Sequence, residues 1–181
     1  MATDDAGKQR GNHPGPTART VAANVKRLRR ARELKQQDLS DALRSRGHFI
    51  PVASIGKIES GDRRVEVDDL VVLASALGVS PLALLLPNAD TSSDRVMMTG
   101  HDAEVAENLW GWAVGAYPLG ELDGSVEDME EEIRYFRFKS NPWWFSVDAA
   151  VERFDASNDL HRKIVGWKRR WDLDDGEPAD G

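Results

Sequence analysis

Between Val21 and Pro87 the chain is cut into five short apolar stripes, and the positions of the cuts constrain its fold more than any other feature. Val21, Val25 and Leu28 recur at helical spacing, with a basic outer face. A second stripe, Leu39, Ala42 and Leu43, lies in the segment Gln36 to Arg44. After the break Ser45-Arg46-Gly47-His48-Phe49-Ile50, Pro51 suits the first turn of a third helix, where its missing N–H has no partner to lose. Val52, Ile55 and Ile58 run along that helix and Gly61 ends it. A fourth helix spans Val67 to Leu77 with Leu70, Val71, Leu73, Ala74 and Leu77 as core and Gly78 as its stop. Ser80-Pro81 restarts a short fifth helix through Leu82, Leu85 and Leu86, closed by Pro87. The density of Leu, Val and Ile is enough to bury a small all-helical core.

The remainder of the chain is less regular. Residues 1–16 read as a disordered arm, polar and rich in Gly and Pro, after which Thr17 or Thr20 is placed to cap the first helix. Residues 88–102 read as a linker and 103–173 as a small, mainly helical domain, ending in a disordered acidic tail over 174–181. Within 103–173 the spacing predicts a helix from Ala103 to Tyr117. A second is predicted from Ser125 to Lys139, where Ser125 and Asp128 form a capping box and Val126, Met129, Ile133 and Phe136 share a face. Val147–Phe154 and Asn158–Trp171 are predicted helical as well. No strand pattern and no repeat stands out. The expected fold class is therefore all-α.

The net charge of −7 hides a division. Residues 1–88 hold fourteen Lys/Arg against ten Asp/Glu, whereas 89–181 hold ten against twenty-one. From Lys8 to Arg64 the balance is fourteen basic to five acidic. A basic half joined to an acidic half points to a phosphate-binding module coupled to one with another task. There is no cysteine, which excludes disulfides, thiolate nucleophiles and sulfur metal sites. No apolar run approaches the ~20 residues that span a bilayer, and the amino terminus lacks a signal-peptide core. A soluble, cytoplasmic protein is expected.

Leu28, Gln36, Leu39, Leu43, Ile55, Ile58, Glu59, Gly61, Leu70, Leu73, Ala74, Leu77, Gly78 and Val79 together resemble the Xre family, the Cro/cI-type helix-turn-helix regulators, over about a third of the chain. The resemblance implies a five-helix, lambda-repressor-like domain that binds double-stranded DNA as a dimer, usually to repress. Gln36, opening the second helix, falls where the family contacts a phosphate, a contact that a helix N-terminus favours. Val52, Ala53, Ser54 and Lys57 occupy the base-reading positions of the third helix. Arg63 and Arg64 follow it, placed for phosphates, and Lys8, Arg10 and Arg19 could form an arm along the backbone or in the minor groove. Glu59 is assigned to bracing the helix junction, and Lys26, Arg27, Arg29 and Arg30 to a solvated face. Three departures from the family pattern stand out. The connection between helices two and three is longer than the usual tight turn, Lys35 replaces the Ser or Thr that caps the second helix, and Glu33 stands where Gly commonly ends the first.

Enzyme chemistry finds no support. His13, His48, His101 and His161 are scattered without metal-ligand spacing, no Gly-rich phosphate loop occurs, and no carboxylates stand in an acid/base frame. No cofactor and no metal are expected. All six Trp lie beyond residue 109, and their simplest use is to fill a core or a dimer seam. The expected function is sequence-specific regulation from a near-palindromic operator bound by a homodimer. The alternative is an antitoxin or adaptor whose carboxy-terminal half binds a partner protein and whose DNA binding serves autoregulation. A metabolite-gated regulator is a third.

Overall fold

A computed structural model of the chain describes residues 14–120, 122–142 and 145. Two compact units emerge, Met1–Ala113 and Val114–Gly181. The first holds α1 (Pro16–Ala31), α2 (Gln36–Arg44), α3 (Val52–Ser60), α4 (Val67–Leu77), α5 (Pro81–Leu85), a two-stranded ladder β1 (Arg95–Val96) and β2 (Glu104–Val105), and α6 (Ala106–Ala113). The second holds α7 (Val126–Ser140). The fold is mostly helical, as the stripes require.

The five stripes of the first unit close on one core. Val21, Val25 and Leu28 of α1 meet Leu39 and Leu43 of α2, Ile55 and Ile58 of α3, Leu73, Ala74 and Leu77 of α4, and Leu84 of α5. Polar ties then fix the ends of the short elements. Asn24, buried in α1, donates from Nδ2 to the carbonyls of Leu84 and Leu86 at 3.1 and 2.8 Å, satisfying α5 where its backbone ladder runs out. Ser40 donates to the carbonyl of Ile50 at 2.7 Å, and Ile50 is itself buried. The end of the long connection after α2 is thus tied into the core through Ile50.

Helix ends differ from the sequence reading in instructive ways. Neither Thr17 nor Thr20 caps α1, which starts from Gly15 with Pro16 in its first turn. Thr17 is used elsewhere: its hydroxyl accepts from Thr99 N at 3.0 Å, while Thr17 N donates to Thr99 Oγ1 at 3.3 Å. Arg19, expected in an arm, is already helical, and it donates to the carbonyl of Pro14 at 2.6 Å. At α2, Lys35 has no side-chain acceptor to offer, so Asp38 does the capping from the other side, taking the Lys35 N–H at 2.7 Å. Glu33 terminates α1 with φ +57°, among the described residues the only non-glycine with a left-handed backbone.

The segment read as a linker contains structure. β1 and β2 pair antiparallel, Arg95 opposite Val105 and Val96 opposite Glu104. Two-residue strands carry too little alternation to be seen in a sequence. Asp94 nucleates the turn before them by accepting from Asp90 N, Thr91 N and Thr91 Oγ1 at 2.9, 3.1 and 2.5 Å. These bonds, the Thr91 side chain first, hold its carboxyl below the usual range. Ala106 and Leu109 of α6 are buried. In the second unit the predicted capping box is present: Asp128 N donates to Ser125 Oγ at 3.2 Å and Ser125 N to Asp128 Oδ2 at 3.0 Å. Asn141 Nδ2 and Arg137 Nε, on and after α7, donate to the carbonyls of Gly115 and Ala116 at 3.0 and 2.7 Å. Lys8 and Arg10, the helices expected over 147–154 and 158–171, Trp143, Trp144, Trp167 and Trp171, and the acidic tail lie outside the described residues.

Candidate nucleic-acid interface

α3 is a helix of nine residues, too short to persist alone, and its position depends on what it buries. Ile55 and Ile58 are fully enclosed against α1 and α2. On the opposite face Ala53 and Lys57, one turn apart, are exposed, with Val52 and Ser54 half-buried at the helix start. Pro51 leads in with extended backbone, and Gly61 ends the helix at φ +80°. The four side chains expected to read bases therefore cluster on the first turn and a half of one helix.

A buried polar junction locks that helix to its neighbours. Glu59, near the end of α3, accepts from Arg29 Nε of α1 at 2.5 Å and from Arg29 Nη2 at 2.9 Å. Gln36, at the start of α2, donates to the same carboxylate at 2.9 Å. Arg29 spends a further donor on the carbonyl of Leu34, just beyond α1, at 2.5 Å. The side chains of Arg29 and Glu59 keep only 10% and 5% of their exposure, so both charges are desolvated and each depends on the other. Burial pushes the Glu59 carboxyl up, but the Arg29 and Gln36 hydrogen bonds outweigh it and hold the group below its ordinary value. The same bond raises Arg29 against its own burial. The assignment of Glu59 as a brace is thus realised in geometry. Arg29, by contrast, does not belong to a solvated face. It lies four residues after Val25 and eight after Val21, on the apolar stripe itself, and that spacing was the available signal.

A second junction stands behind the other end of the site. Asp69, buried in the first turn of α4, receives His48 Nε2 at 2.7 Å on one oxygen and Arg63 Nη2 at 2.8 Å on the other. His48 belongs to the connection before α3 and Arg63 to the segment after it, so one carboxylate gathers both flanks of the helix. Arg63 is therefore half-engaged in structure, with a third of its side chain still accessible. Arg64 is exposed. Of the residues read from the sequence, the fold brings Val52, Ala53, Ser54 and Lys57 together on α3, sets Gln36 against α3 through Glu59, and places Arg63 and Arg64 just past its end. Asp69, His48 and Ser40 were not foreseen, because their pairings join residues far apart in the chain and no local spacing announces them. Among the described residues no group of three or more His, Cys, Asp or Glu could hold a metal ion. Nor is any described helix long and apolar enough to cross a membrane.

Residues 25–84 match the family model described as Helix-turn-helix. No curated protein and no solved structure matches the chain. The matched interval spans α1 from Val25 to Leu84 of α5 and contains both polar junctions and every exposed position of α3. Residues 25–84 are accordingly a helix-turn-helix domain of the Cro/cI, Xre-like type, the DNA-binding domain of a transcription regulator.

Proposed function

We propose that the chain is a sequence-specific regulator, a repressor that binds a near-palindromic operator as a homodimer in the cytoplasm. Ala53 and Val52 contact thymine methyl groups, Ser54 and Lys57 hydrogen-bond base edges, and Gln36, Arg63 and Arg64 take backbone phosphates. The carboxy-terminal part, beyond the matched domain, supplies dimerisation or signal sensing. The observation that carries this reading is the division of α3, with Ile55 and Ile58 enclosed while Ala53 and Lys57 face solvent on a helix braced at both ends. A dimer of such domains demands half-sites about one helical turn apart, ~34 Å, and an affinity that falls steeply with salt as counterions are released.

Selection of bound sequences from a random duplex pool tests the reading. A two-fold symmetric motif with that spacing is the expected result, and recovery of no preferred sequence would overturn it. On the selected site, Lys57→Ala should weaken binding by about tenfold or more while the thermal melt stays within a degree or two of the parent. Unchanged affinity would remove Lys57 from the interface.

A further inference from the structure

The connection between α2 and α3, longer than the family's usual turn, carries an exposed aromatic that the core does not use. His48 is tied to Asp69 at 2.7 Å, and Ile50 is buried with its carbonyl taking Ser40 Oγ at 2.7 Å. Phe49, between these two fixed points, is turned outward and 53% exposed. The Arg44 guanidinium, at the end of α2, lies 4.0 Å above the centre of its ring. A cation held over a ring face keeps its N–H donors in their own plane, directed past the ring edge. The contact restrains the guanidinium on an exposed surface, where the N–H donors of its fork stay available to an anion.

Location and charge say what the fork meets. Phe49 precedes Val52 by three residues, so its Cα lies within about 11 Å of the first base-reading position. From Arg44 to Ile58 the chain contains no Asp or Glu, while Arg44, Arg46 and Lys57 are all basic. Arg46 is turned to the protein, donating to the carbonyl of Ala42 at 2.7 Å and to Ser75 Oγ at 3.4 Å. Arg44 is exposed, with its guanidinium over Phe49 on the connection that leads into α3. We propose that Arg44, held by Phe49, is a second anchor on DNA: its fork binds a backbone phosphate next to the groove that α3 enters, with Phe49 against the adjoining sugar. This rests on the DNA-binding reading above and adds to it a contact from the extended connection.

The test uses the full chain and a duplex from the selection experiment, titrated between 50 and 300 mM salt. Each lost phosphate contact lowers the slope of log K against log salt by about 0.9, and a homodimer loses two. Arg44→Gln should therefore bind about tenfold or more weakly at the lowest salt with a slope shallower by about 1.8. Phe49→Ala should reproduce part of both effects, and Phe49→Tyr, which keeps the ring, should restore both. Circular dichroism melts of these exposed substitutions should match the parent's. If the parent binds, Lys57→Ala weakens it, and Arg44→Gln retains parental affinity and slope, the second anchor is refuted while the DNA-binding reading stands. If the parent binds no duplex in the pool, both fall together.

Discussion

Glu33→Gly should stabilise this protein, and the reason lies in how three helices stop. α1, α3 and α4 end in the same pair of backbone bonds. At α4, Val79 N reaches Ala74 O at 3.0 Å and Gly78 N reaches Ser75 O at 3.1 Å; at α3, Asp62 N reaches Lys57 O at 2.9 Å and Gly61 N reaches Ile58 O at 3.0 Å. At α1 the equivalents are Leu34 N to Arg29 O at 3.1 Å and Glu33 N to Arg30 O at 2.8 Å. This arrangement needs a left-handed residue at the stop. Gly61 and Gly78 adopt it at φ +80° and +59° without a Cβ to clash, whereas Glu33 adopts φ +57° with one. The left-handed conformation costs an L-residue about 1–2 kcal/mol. Glycine relieves that cost but adds about 0.4–1 kcal/mol of unfolded-chain entropy, leaving a net gain of about 0.5–1 kcal/mol. Removing a carboxylate from the negative end of α1 contributes roughly 0.3 kcal/mol more. For a unit of this size the melting point should rise by about 3–6 °C, read from the far-ultraviolet dichroism of the full chain. Glu33→Ala is the control, since it removes the charge but keeps the Cβ. A Glu33→Gly protein no more stable than the parent, or an Ala variant equal to the Gly variant, would refute the backbone argument.

Other substitutions test the polar junctions. Glu59→Gln leaves the Arg29 guanidinium enclosed without its counter-charge, so urea unfolding at neutral pH should show a loss of about 3–5 kcal/mol. Because the folded Glu59 carboxyl is held below its ordinary value, the contribution of its charge is complete above the unfolded value of about 4.3 and disappears as pH falls through the folded one; the gap between parent and Glu59→Gln should narrow below about pH 4. A gap that stays constant from pH 7 to pH 3 would mean that the pair does not titrate as described. Ser40→Ala strips the Ile50 carbonyl of its donor and should cost about 1–3 kcal/mol, with faster amide exchange between Ser45 and Pro51 than in α4 as the local readout.

How much of this was legible in the sequence follows from the range of each interaction. The ends of the later helices were readable because Pro51, Gly61, Gly78 and Pro81 act within a turn of where they sit, and the apolar stripes carry the 3.6-residue period of what they form. The capping box of α7 was legible for the same reason, since Ser125 and Asp128 are three residues apart. The unmet expectations share the opposite property. Thr17 bonds to Thr99 across the whole unit, so its local capping propensity lost to a tertiary partner. Arg29 was assigned to solvent because Arg usually is; its place on the Val21–Val25 stripe signalled burial, but its partner, a carboxylate thirty residues away, was not readable locally. The expected base-reading positions came from a family pattern, which also pointed to Glu59 as a brace but not to its partner Arg29 or to the Asp69 junction.

Those holding groups decide how mutations in this site should be interpreted. Lys57 projects from α3 on the side away from Ile55 and Ile58, so its removal subtracts a contact and little else. Arg63 is different. Its guanidinium shares Asp69 with His48, and the three connect the segments on either side of α3 to the first turn of α4. Removing Arg63 leaves a buried carboxylate with one partner fewer, so weaker DNA binding by Arg63→Ala would mix a lost phosphate contact with a displaced helix. The salt slope separates the two, because a lost phosphate contact flattens it by about 0.9 whereas a tilted helix lowers affinity at every salt concentration. The same logic applies to Gln36, whose amide is committed to Glu59 at 2.9 Å. A residue proposed to contact DNA in this domain can thus act chiefly by positioning α3, and its mutation must be read with that in view.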